Sequence, residues 1–223
     1  MRKKMKDVVN LLSDKASLKQ DVFGITKQVF GQIKEMTKTI TQKIKASPQV
    51  DTDKVHVEFE ELNEFEFQLK VGGDIVVFLM KTNVFALPAN HKDYNHKYFK
   101  SDWKKGYFGQ IMIYDFIADS VKFNRVDDVG YLIERVFVNI EEHFMVEGLK
   151  NIGYTYPDIS RNIITPEVLE DLIEDAILVS IETDLVSTSF ADNFNLTIEQ
   201  RRIKRGKMAG SKLGFQMATN KEL

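Results

Sequence analysis

The hydrophobic pattern of the chain changes period along its length. Leu18, Val22, Ile25, Val29, Ile33, Met36, Ile40 and Ile44 recur at intervals of three and four, which is one face of a helix. Ser17 followed by Gln20 has the capping-box pattern, and Ser47-Pro48 closes the segment. The spacing predicts a helix over 18–45, roughly 42 Å long at 1.5 Å per residue. Its interval averages roughly 3.7 residues, so a long left-handed coiled coil is not encoded. Gly24 and Gly31 predict close approach of another element on that side. So long a stripe calls for cover, from the chain's own domain, a helical partner or a second copy; a membrane-surface position is the sharper alternative. Val8, Val9, Leu11 and Leu12 suggest a shorter helix within 2–16.

The period then drops to two. Val55, Val57 and Phe59 alternate with His56, Glu58 and Glu60. After a turn at Leu62-Asn63, Phe65, Phe67, Leu69 and Val71 alternate with Glu64, Glu66, Gln68 and Lys70. These are half-buried antiparallel strands with one apolar and one acidic face. Gly72-Gly73-Asp74 turns the chain into 75–80, a continuous apolar run suited to a central strand. Further strands are expected at 84–87, and at 107–117 and 121–125 as a hairpin around Ala118-Asp119-Ser120.

Two helices are expected to follow. Over 127–150, Val129, Leu132, Ile133, Val136, Phe137, Ile140 and Phe144 form a stripe, with Glu134, Glu141 and Glu147 outward. The second starts at Thr165 as N-cap with Pro166 in the first turn, and Leu169, Leu172, Ile173, Ala176, Ile177 and Ile181 form its core face. The expected fold is therefore α+β: an antiparallel meander of five or six strands covered by two C-terminal helices, after a long N-terminal helix. The expected division is 1–46 helical, 47–190 acidic α+β domain, and 191–223 a mobile basic tail.

Charge sharpens this division. The net charge of −2 conceals three blocks. Residues 1–45 carry 11 Lys/Arg against 4 Asp/Glu (+7), residues 46–199 carry 13 against 28 (−15), and residues 200–223 carry 7 against 1 (+6). An acidic body repels a nucleic-acid backbone over most of its surface, so phosphate contact is confined to the ends or to one local patch. The other reading has the basic ends fold back onto the body. The chain has no Cys, which removes disulfides and thiolate chemistry and fits a reducing compartment. No apolar run is long enough to span a membrane, and residues 2–16 hold no signal-peptide core. A cytoplasmic protein is expected.

Chemical motifs are sparse. His91, Asp93 and His96, with His143, are the metal-ligand types present, but no helix or strand spacing fixes them and Lys92 and Lys97 oppose a cation. No metal and no cofactor is called for. Glu64, Glu66, Gln68 and Lys70 share one strand face, the arrangement of a metal-dependent nuclease and equally of a solvated strand. The densest constellation is 90–109, where Lys92, Lys97, Lys100, Lys104 and Lys105 interleave with Tyr94, Tyr98, Phe99, Trp103, Tyr107 and Phe108. Lysines reach phosphates and rings stack on bases or enter a partner's pocket; the bland alternative is a loop whose rings cap the sheet.

Two functions are compatible with these features. The first is a non-catalytic binding or assembly protein. It oligomerises or docks through 18–44 and contacts an acidic partner or nucleic acid through Lys92, Tyr94, Tyr98, Lys100, Trp103, Lys104 and Lys105, and through Arg201, Arg202 and Arg205 of the tail. The second is a hydrolytic or nucleic-acid-processing enzyme using His91 and His96 or Glu64 and Glu66. The absence of an assembled catalytic motif favours the first.

Overall fold

A computed structural model of the chain describes residues 2–149, 152–187 and 210–212. Helix opens it: α1 (Lys3–Leu11), a π-helical turn (Leu12–Ala16) and α2 (Ser17–Ala46) run on without a break. Ser17 is therefore not a cap. Its backbone is helical (φ −59°, ψ −50°), because no Gly or Pro interrupts the residues before it. The helix does end at Ser47, which takes the extended backbone that a following Pro favours.

The sheet is antiparallel throughout. Strands β1 (Val57–Asn63), β2 (Glu66–Val71), β3 (Asp74–Met80), β4 (Phe85–Ala86), β5 (Tyr107–Ile117), β6 (Tyr131–Asn139) and β7 (Phe144–Gly148) are ordered β1-β2-β3-β5-β6-β7, with β4 on the end of β5. The first hairpin turns at Glu64-Phe65, later than expected, because the Asn63 side chain accepts from the Phe65 amide at 2.9 Å. Gly72 supplies the next turn with φ +61°. The alternation puts Phe67, Phe78, Ile113 and Val136 on one face.

Helix α2 covers that face. Val29, Phe30, Ile33 and Ile40 share one buried cluster with Phe67, Leu69, Phe78, Ile111 and Val136, so most of the stripe is enclosed by the chain's own sheet. The condition for a dimer or helical partner through 18–44, an uncovered stripe, does not hold. The close approach is also elsewhere than expected. Gly24 and Gly31 face open space, whereas a methyl group on Gly109 of β5 would sit 2.6 Å from Thr26 Cβ of α2. Thr26, Thr37 and Thr41 are polar groups on the buried face, and each hydroxyl donates to a carbonyl one turn back at 2.6–2.8 Å.

Two expected elements are different. The helix expected at 127–150 is the β6–β7 hairpin: Val136, Phe137 and Val138 pair with Val146, Met145 and Phe144. Its β-branched and aromatic residues suit strand, and Asn139 builds the turn, its side-chain oxygen accepting from the Glu141 and His143 amides. Of the three outward glutamates, Glu134 is instead fully buried, facing inward with Val136 and Val138. The strand expected at 121–125 is a short helix, α4 (Ala118–Lys122), and its tail. It forms because the amides of Phe123 and Arg125 reach back to the Asp119 and Ser120 carbonyls, leaving no ladder partner.

After α3 (Lys97–Ser101), described below, and α5 (Ile152–Thr155), the last helix among the described residues is α6 (Pro166–Glu182). It starts as the sequence predicts, with Thr165 Oγ1 accepting from the Val168 amide and Glu167 in the first turn. Leu169, Leu172, Ile173, Ala176 and Ile177 join the core beside α2. Ile181 is exposed; Ser180 takes the inward place and its hydroxyl donates to the Asp115 carboxylate at 2.9 Å. Of the basic tail, β9 (Gly210–Lys212) pairs with β8 (Leu185–Ser187).

Candidate functional site: an aromatic cleft

The segment between β4 and β5 is more ordered than its sequence suggests. The Phe85–Phe108 and Ala86–Tyr107 pairing and the Leu87 amide donating to the Gly106 carbonyl at 2.8 Å close its two ends. Inside, His96 Nδ1 accepts from the Tyr98 amide and caps α3, and the Asp102 carboxylate accepts from the Lys104 amide and starts a 3₁₀ turn (Trp103–Gly106).

Its side chains divide into two groups. Phe99 and Phe108 are buried in a satellite core with Met145 and Ile159, their rings edge-to-face at 6.0 Å. Tyr98 is an anchor as well. Its hydroxyl donates to Glu141 at 2.8 Å and accepts from Asn139 Nδ2 at 2.8 Å, and its ring lies 4.6 Å from the Lys105 ammonium. Burial, reinforced by Glu141, pushes the phenol well above its ordinary pKa. The Tyr98 bond, then the Lys105 charge, hold the Glu141 carboxyl low. Lys105 pairs with Glu141 at 3.1 Å. Tyr98 and Lys105 thus fasten the segment to the β6–β7 turn.

The second group faces outward. Leu87, Tyr94, Phe99, Lys100, Trp103 and Tyr107 line a cleft of ≈ 340 Å³. Trp103 and Tyr94 are 50% and 45% exposed, and Trp103 stands edge-on to Tyr107 at 5.7 Å. Lys15, at the start of the long helix, lies 5.9 Å from the Tyr107 ring. Lys92, Lys97, Lys100 and Lys104 are exposed and make no ion pair among the described residues. The helix cations behave differently: Lys27 pairs with Glu64, Lys34 with Glu61 at 2.6 Å, and Lys43 with Glu170 at 2.6 Å. The N-terminal charge is therefore partly folded back on the acidic body, while the loop lysines are left for something else.

The remaining candidates are dispersed. His91 lies 3.7 Å from Asp93 and 3.8 Å from Glu147, and His96 lies 3.7 Å from Asp158. His143 donates through Nδ1 to the Ile159 carbonyl at 2.7 Å. Glu64 faces Lys27, and Glu66 accepts from Asn63 at 3.3 Å. Among the described residues no group of three or more His, Asp or Glu is placed to hold a metal ion. Arg201, Arg202 and Arg205 lie outside the described residues. Sequence reasoning missed Leu87 and Lys15, which the β4–β5 pairing and the long helix bring to the rim.

The fold and the cleft define an α+β chain with an antiparallel sheet, two long helices on one face, and an aromatic site beside β4 and β5. Comparison with protein-family models, with curated proteins and with solved structures finds no match to this chain. Among the described residues no helix is long and apolar enough to cross a membrane.

Proposed function

We propose that the chain is a non-catalytic binding protein whose cleft holds an anionic, ring-bearing partner: one or two nucleotides of a single-stranded nucleic acid. The observation that carries this is the half-exposed Trp103 and Tyr94 in a cleft that Lys100 lines, on a segment whose Lys92, Lys97, Lys100 and Lys104 make no ion pair among the described residues. A base stacks on the exposed rings, and Lys92, Lys97, Lys100 and Lys104 meet the phosphates on either side. Charge alone assigns Arg201, Arg202 and Arg205 to the same strand, as a second contact. A cysteine-free chain with such a partner suits the cytoplasm.

Trp103 is the chain's only tryptophan, so its fluorescence reads the site directly. Titration with a short oligothymidylate should quench or shift the emission, and affinity should fall as salt rises. Trp103→Ala with Tyr94→Ala should lower affinity by about tenfold or more while the melting temperature changes little, since stacking contributes about 1–3 kcal/mol per base. Emission indifferent to the oligonucleotide, or binding unchanged in the double variant, overturns the reading.

A further inference from the structure

The first turns of the long helix carry an apolar face that the fold does not use. Residues 2–15 are all exposed, and α1 contributes no buried residue. Met5, Val8, Val9 and Leu12 follow the i, i+3, i+4, i+7 spacing of one stripe, and each is between 45% and 61% exposed. At 100° per residue Lys4 falls along one edge of this stripe and Arg2 and Lys6 along the other, while Lys3, Asp7 and Asp14 fall on the opposite side. None of Arg2, Lys3, Lys4 and Lys6 makes an ion pair among the described residues, unlike Lys27, Lys34 and Lys43 further along. Cations at both edges of an apolar stripe, with both acids of the segment behind it, match a charged interface: aliphatic side chains enter the acyl boundary and the long cationic ones reach the headgroups.

We infer that α1 and the π turn dock the protein in plane on an anionic lipid surface. A protein partner fits this face less well. A stable protein interface buries roughly 800 Å² a side and centres on aromatic or arginine anchors, whereas this stripe is one helix wide and aliphatic. A second copy packed parallel would bring Arg2, Lys4 and Lys6 against their own counterparts. Lipid asks for no shape match, only depth and opposite charge. The length suits the role: residues 3–16 extend about 21 Å, and the turn at their base is a π-helical one, a common site of bends.

The test is co-sedimentation of the full chain with vesicles of phosphatidylcholine containing about 30 mol% phosphatidylserine, against phosphatidylcholine alone. The chain should pellet with the anionic vesicles at least about tenfold better than with neutral ones, and lose that preference as salt rises from about 0.1 to about 0.5 M. Val8→Ser with Leu12→Ser removes exposed side chains only, so the fold should survive while pelleting falls about tenfold. Wild-type protein left in the supernatant at low salt overturns the inference. So does pelleting that persists in the α1 double variant and is lost only on replacing Arg201, Arg202 and Arg205. A lipid-free, concentration-dependent dimer that the same double variant abolishes overturns it in favour of a second copy.

Discussion

Glu134 offers the most demanding test of the packing argument. It sits in the row Phe67, Phe78, Ile113, Glu134 on the covered face of the sheet, beside an irregularity in β5–β6 pairing at Ile113 and Tyr114. The side chain is fully buried and neither carboxyl oxygen has a hydrogen-bond partner among the described residues. Burial, and secondarily the charge of Asp175 on α6, push its pKa well above the ordinary value of 4.5. The folded chain therefore holds this proton to a higher pH than the unfolded chain does. Stability is unpenalised below pH 4.5 and declines as pH rises from there toward the folded pKa, by up to about 1.4 kcal/mol per pH unit. The protonated group still has no partner among the described residues, at a cost of about 1–3 kcal/mol.

Glu134→Met replaces the carboxyl with a near-isosteric apolar group. It should stabilise the protein by about 1–2 kcal/mol at pH 4.5, and by more as pH rises above that. Glu134→Gln should flatten the same pH dependence while keeping an unpartnered amide. Asp175 is raised too, by burial first and then Asp171, so some slope of the same sign remains in both variants. Urea denaturation at half-unit steps of pH measures all three proteins. A Met variant less stable than wild type at pH 7, or a difference that does not grow with pH, would show that Glu134 is ionised or partnered in the folded protein.

Gly109→Ala should cost about 1–3 kcal/mol in urea denaturation, because the new methyl meets Thr26 on a helix that cannot give way, and Thr26→Gly in the same chain should restore part of the loss. Tyr98→Phe loses the hydroxyl's bonds to Glu141 and Asn139; it should cost about 1–2 kcal/mol in thermal denaturation and also weaken oligonucleotide binding by loosening the rim. Thr165→Ala removes the cap of α6 and should cost about 1 kcal/mol, seen as a lower urea midpoint at unchanged slope.

How much of this was legible in the sequence depended on how local the deciding contact is. The β1–β3 meander, the far end of α2 and the start of α6 were readable because Gly72, Pro48, Thr165 and Pro166 act on their immediate neighbours. The β6–β7 hairpin was not. Ile133, Val136, Phe137, Ile140 and Phe144 fit a helical stripe as well as two strands, and a wheel drawn through them turns Glu134 outward when the pleat turns it inward. Asn139 was the available signal, since its side chain makes the turn. The cleft was legible as a density of rings and lysines within 90–109. Its division was not, because Tyr98 and Lys105 are fixed by Asn139 and Glu141, some 34 to 43 positions away.

Charge shows the same dependence on partners remote in sequence. Counted along the chain, the first 45 residues form one basic block of +7; in three dimensions the block separates. Lys27, Lys34 and Lys43 face Glu64, Glu61 and Glu170, and the hydrogen bonds they donate keep Glu61 low and Lys43 high in pKa. These exposed pairs add little stability individually; the cations of α1, and Lys92, Lys97, Lys100 and Lys104 of the segment before β5, have no such partner among the described residues. Salt should weaken both proposed contacts, whereas the pH dependence from Glu134, which rests first on burial, should change little with ionic strength.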